Sequence, residues 1–167
     1  PAEVVDGLIA LDDETPEFRS VADALMQTVV AGGDPKRLSA AWVYRLLFTP
    51  NQLLEKMTLF WHGHFATGAE KVTDASLNWQ QNQLFRRHAL GDFTKLANGI
   101  SQDPAMLIYL DSIVNRKAHP NENFARELME LFCLGEGNYS ERDVQELARC
   151  FTGWEIKNNR FRKNRYQ

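Results

Sequence analysis

A chain of 167 residues with 44% apolar and 25% charged residues is long enough for one domain with a real core and too apolar to stay disordered. Its formal net charge of −3 excludes nucleic-acid binding by the whole chain through electrostatics alone. Residues 154 to 167 run against that balance, with Lys157, Arg160, Arg162, Lys163 and Arg165 facing only Glu155, a basic end that reads as a solvated segment, with an anionic partner as the alternative.

Helical periodicity dominates from the N-terminus. Short helices are expected over about 2–10 and 16–31, the second closed by Gly32-Gly33. Asp34 and Pro35 start the next helix as cap and first residue, with Leu38, Ala41, Trp42, Arg45 and Leu46 at 3/4 spacing. Thr49, Pro50 and Gln52 repeat the start signal as a capping box, and Leu53, Met57, Phe60, Trp61 and His64 share the inward face of the helix that this box opens. A polar loop near 66–74 precedes a helix over about 75–89. Asp92 then caps 93–100, and Asp103-Pro104 restarts a helix to about 112. A further helix spans about 121–133, with Phe124, Leu128, Leu131 and Phe132 as its apolar stripe and Gly135 as its end. Ser140 and Asp143 open the last helix, to about 152, with Val144, Leu147, Ala148 and Phe151 inward. Period 2 around Asn158-Asn159 then marks the beginning of a β-hairpin. The fold class is therefore all-α, a globular packing of about seven to eight helices over residues 1–153, with the basic tail 154–167 starting the hairpin.

No run of residues reaches the length of a membrane span. Cys133 and Cys150 form no zinc pattern and read as small residues near apolar helix faces, with a mutual disulfide as the alternative. The chain opens on PAEVVDGL and stops on FRKNRYQ, ends that read as cuts from something longer, so compartment is not legible.

Chemistry could sit in a few places. FWHGHF offers His62 and His64, which on a continuous helix point about 200° apart and share an ion only if the helix ends near Gly63. ARELMEL puts Glu127 and Glu130 on one face, as a metal or acid–base pair would need, but a di-metal bundle wants His at position 130. Arg126 lies four residues from both Glu122 and Glu130, so an ion-pair and capping network is the plainer expectation. Asp111 to Glu122 has the length of an EF-hand loop, yet Ile113 and Arg116 break the pattern and leave only a looser cation site of Asp111, Asn115 and Glu122. The helix start at Asn121, Glu122 and Asn123 could present free N–H groups to an anionic or sugar ligand.

The segments FWHGHF, PAMLIYLD, NENFARELMELFCLG, YSERDVQELAR and FTGW come one after another in an order that resembles the bacterial domain-of-unknown-function-1800 family, over roughly residues 35–154. Gly63 stands where that family commonly has Asn. The resemblance implies a longer, exported protein, of which this chain is a truncated part, encoded beside a companion of the domain-of-unknown-function-1501 family. It carries no reaction, cofactor or catalytic residue over. A binding or assembly role is the first expectation. A metal-assisted hydrolase using His62, His64, Glu127 and Glu130 is the alternative, and ligand binding near Asn121 is the third.

Overall fold

The computed structural model describes residues 2–163, with nine α-helices and one two-stranded antiparallel sheet among them. The chain is predominantly helical and divides into two compact units, up to Leu96 and from Ala97 onward.

The first unit holds α1 (Ala2–Ile9), α2 (Pro16–Gly32), α3 (Lys36–Phe48), α4 (Gln52–His64) and α5 (Ala75–His88), and α6 (Phe93–Ser101) leads out of it. Local chemistry sets most of the boundaries. Thr15 Oγ1 accepts the Phe18 N–H at the head of α2, and Gly33 at φ 72° closes that helix in the left-handed region glycine tolerates. The Asp34 carboxylate accepts the Lys36 N–H, Asp74 accepts those of Ser76 and Leu77, and Asp92 that of Lys95. The capping box expected at Thr49 does not form. Its backbone N–H is already donated to the Arg45 carbonyl at the end of α3, so Gln52 donates its amide to the Thr49 carbonyl instead. Phe18, Ala22 and Met26 of α2, Phe65, and Leu77 and Phe85 of α5 are buried. Phe60, expected inward, is 56% exposed, because α4 turns Glu55 and Thr58 to the interior.

The second unit holds α7 (Pro104–Tyr109), α8 (Asn123–Glu127), α9 (Glu141–Cys150) and the hairpin β1 (Trp154–Lys157) with β2 (Arg160–Lys163). Asp103 caps α7 through the Met106 N–H, and the helix stops short of 112 because Asp111 adopts φ 57° and a 3₁₀ turn comes next. The segment expected as one α-helix over 121–133 changes character at Leu128, where six residues continue as π-helix. The wider turn alters the register of the stripe: Phe124 and Phe132 stay buried, whereas Leu131 is 60% exposed and Cys133 faces outward. Cys150 is exposed as well and both thiols are free, since Val144 and Ala148 hold the buried positions of α9. Ser140 and Asp143 form the expected capping box. Ala125, Val144 and Ala148 pack with Met129, Tyr139 and Leu147, and rings then run from Phe124 through Phe151 and Trp154 to Phe161. Asn158 and Asn159 take φ 52° and 56°, the left-handed pair a two-residue hairpin turn requires, with Ile156 opposite Phe161. Of the basic tail, Arg165 lies outside the described residues.

Candidate functional site

One line of α4 and its C-cap carries Glu55, Thr58, His62 and Phe65, at i, i+3, i+7 and i+10, so a carboxylate and an imidazole share an inward face with an apolar neighbour. The Glu55 side chain is 1% exposed and fully engaged. Arg86 of α5 reaches it with two nitrogens, Nε at 2.6 Å and Nη2 at 3.0 Å. Arg45 of α3 donates from Nε at 3.2 Å, and Trp42 of the same helix from its indole at 2.9 Å. Arg45 also pairs with Glu14. Burial alone would raise the Glu55 carboxyl, but the hydrogen bonds and charge of Arg86, with Trp42 and Arg45 behind them, hold it below the usual carboxylate range.

This cluster backs two aromatic walls. Trp42 is fixed by its hydrogen bond to Glu55, and the Arg86 guanidinium lies 5.6 Å from the Trp79 ring centroid. Both tryptophans line a cavity of about 400 Å³ within the first unit, with Met26, Leu38 and Leu46 supplying apolar surface. Its polar wall includes His62, Thr67, Asn78, Gln81 and Asn82. Thr67 is spent on Gln81 at 2.5 Å, and the Asn78 amide on the Val72 and Asp74 carbonyls. Two groups are not spent in this way. Among the described residues His62 makes only ring contacts, edge-on to Trp42 at 5.5 Å and to Phe85 at 6.0 Å. Asn82 is 9% exposed and its amide oxygen has no partner among those residues. Burial lowers the His62 pKa, which favours the neutral imidazole.

The polar residues singled out in the sequence go elsewhere. Helix α4 runs unbroken through His64, so Gly63 does not end it and the two histidines do not converge. His64 is packed among Phe60, Trp61, Phe65 and Phe93. The other candidates belong to the second unit. Asn115 is buried and bonded at both ends of its amide: the nitrogen donates to the Ala148 carbonyl at 2.8 Å and the oxygen accepts the Asn121 N–H at 2.9 Å. Its side chain thus bridges the Asn121 amide and the Ala148 carbonyl, and neither bond runs to Asp111 or Glu122. Asn121 in turn donates its amide to the Asp111 carbonyl and accepts the Asn123 N–H, while the Asn123 amide reaches the Leu110 carbonyl. The N–H groups at 121 and 123 that an anion would use are thus taken. Arg126 pairs with Glu122 at 3.3 Å and with Glu141 at 2.7 Å, not with Glu130. Glu130 accepts the Tyr139 hydroxyl at 2.7 Å, which pushes the Tyr139 pKa up to about 12. Glu127 stands half-buried on the same helix. No group of three or more His, Cys, Asp or Glu side chains placed to hold a metal ion occurs among the described residues.

The family model of proteins of unknown function, DUF1800, matches residues 6–167. The chain belongs to the DUF1800 family. Its match extends well beyond the stretch 35–154 that carried the resemblance. No curated protein and no solved structure matches the chain. No helix among the described residues is long and apolar enough to cross a membrane.

In this DUF1800 chain the cavity residues Trp42, Trp79 and Asn82, with Arg45, Glu55 and Arg86 behind them, carry no sequence motif of their own. A signal was nevertheless present at Arg45. A cation on the apolar 3/4 stripe of Leu38, Ala41 and Trp42 must find a buried partner or leave the core. The partner itself lies 10 residues away, and the second arginine 31 from that.

Proposed function

We propose that this DUF1800 chain is a binding domain that takes a small ligand into the cavity of its first unit. The observation that carries this is His62: a half-buried imidazole on the wall of a mostly apolar, tryptophan-lined cavity, with no hydrogen-bond partner among the described residues. A polar group that the fold leaves without a protein partner at such a place is paired by water or by whatever enters the cavity. Binding is favoured over catalysis because Lys36 and His62 are the titratable side chains on that wall among the described residues, and Glu55 is held by four hydrogen bonds from three residues. The wider setting we propose is an exported assembly with a companion domain-of-unknown-function-1501 protein. Failure of the two to co-purify from cells expressing both would remove that part.

The cavity is tested with N-phenyl-1-naphthylamine, a neutral dye that brightens in apolar surroundings. Emission should rise on titration into the wild-type chain and stay flat with Ser39→Trp, which places an indole at the exposed rim. An equal rise in both proteins, with matching circular dichroism, would place the dye on the outer surface and refute the cavity as a binding site.

A further inference from the structure

The lining narrows what the cavity can accept. Trp42 and Trp79 offer ring faces, and Met26, Leu38 and Leu46 offer aliphatic surface, so the body of an occupant is apolar. Charge is disfavoured. The Glu55, Arg45, Arg86 and Glu14 groups neutralise one another behind the wall, and Lys36, the one cation among the described lining residues, is exposed and screened by salt. Among the described residues no acidic side chain on the lining offsets a ligand cation. What the wall lacks is a hydrogen-bond donor for its own unpaired acceptors. Neutral His62 carries one acceptor nitrogen and one N–H, neither with a partner among the described residues, so the unpaired acceptors on the wall outnumber its imidazole donor once Asn82 is added. The Asn82 amide oxygen is unpaired among the described residues, and Asn82 lines the same cavity.

We propose that the cavity takes a neutral ring compound bearing one polar hydrogen, an N–H or O–H, which His62 or Asn82 accepts. The proposal rests on the cavity reading above and adds the ligand's chemical class. An aryl or heteroaryl body stacks on the tryptophans, and the donor fills the unpaired position. Without that donor, burial of the ring leaves the acceptor stranded.

Indole and 1-methylindole differ by that hydrogen and little else, and tryptamine adds a cation to the same ring. Binding is read from the indole N–H signals of Trp42 and Trp79 in two-dimensional nitrogen–proton spectra. Indole should bind about tenfold or more tighter than 1-methylindole, and tighter than tryptamine by a similar factor. His62→Phe or Asn82→Leu should bring the indole to 1-methylindole ratio close to one, and whichever does so is the acceptor. Equal affinity for the two in the wild-type chain, a preference that survives both variants, or tightest binding of tryptamine would overturn the proposal. If the dye is lost on Ser39→Trp while the indoles do not discriminate, the cavity binds ligands and only their class is wrong. A dye insensitive to that substitution, with no indole bound, overturns both.

Discussion

Replacing Glu55 by Gln probes the cluster that backs the cavity. Glutamine keeps the volume and one carbonyl acceptor, but turns an amide donor toward guanidiniums that can only donate. Arg45 still has Glu14, whereas Arg86 pairs with no other carboxylate among the described residues. The three side chains are 1%, 8% and 10% exposed, so solvent cannot replace the lost charge. Removing one member of a buried ion pair costs about 3–5 kcal/mol. At about 2–4 °C per kcal/mol for a chain of this size, the melting temperature should fall by about 6–20 °C. Urea unfolding followed by tryptophan fluorescence measures the free energy, and thermal circular dichroism the shift. Joint replacement by Glu55→Leu and Arg86→Met should cost less than the sum of the single changes, because no charge is then stranded at that pair. The folded-state pKa of Glu55 lies below its ordinary 4.5, so its contribution is complete above that value and is lost as pH falls through the depressed one. Glu55→Gln should flatten that acid limb. A loss of less than about 1 kcal/mol, or an unchanged acid limb, would show the cluster to be a solvated surface network and refute the reasoning.

Asn115→Ala should cost about 2–4 kcal/mol in urea unfolding, since it strands the Ala148 carbonyl and the Asn121 N–H at a buried position. Asn115→Asp should be no milder, because it removes the donor to Ala148. His62 has a folded-state pKa below its ordinary 6.5, so the unfolded chain takes up the proton first. Stability should therefore drop as pH falls from about 6.5 toward the lower folded value, and His62→Phe should abolish that slope while leaving the curve above pH 6.5 parallel to wild type. Equal slopes in the two proteins would place His62 in solvent.

The helix starts were legible because each depends on one side chain and the amides beside it. Asp34, Asp92, Asp103 and Ser140 all accept the N–H groups that spacing assigned to them, and the Asn158-Asn159 turn obeys the same local logic. Thr49 escaped that logic because its N–H was claimed by the preceding helix, a competition between neighbours. The π-helical stretch escaped it too. Its marker is the bond from the Leu134 N–H to the Met129 carbonyl, five residues back, and periodicity at 3.6 has no term for it. Glu55, Arg45 and Arg86 were invisible as a group because tertiary packing alone brings them together.

The density of polar residues in PNENFARELMEL is explained by backbone demand. The turn between Leu110 and Asn121 leaves carbonyls and amides that no regular element pairs, and a buried peptide group must be satisfied. Asn115, Asn121 and Asn123 supply compact side chains with both donor and acceptor, and they close one bond after another across that turn. The carboxylates beyond them lie on a half-exposed face with Arg126, where an ion pair contributes little. A stretch can thus be rich in chemically suggestive groups because most of them already have partners. Ligands are recognised by groups that lack one, and two such groups line the cavity from inward helix faces: His62 after Glu55 and Thr58 on α4, and Asn82 one residue after Gln81 on α5. A polar residue on an inward stripe is therefore the more informative signal for a site than a run of them on an outward face, since burial without a partner has to be offset by something the fold itself does not supply.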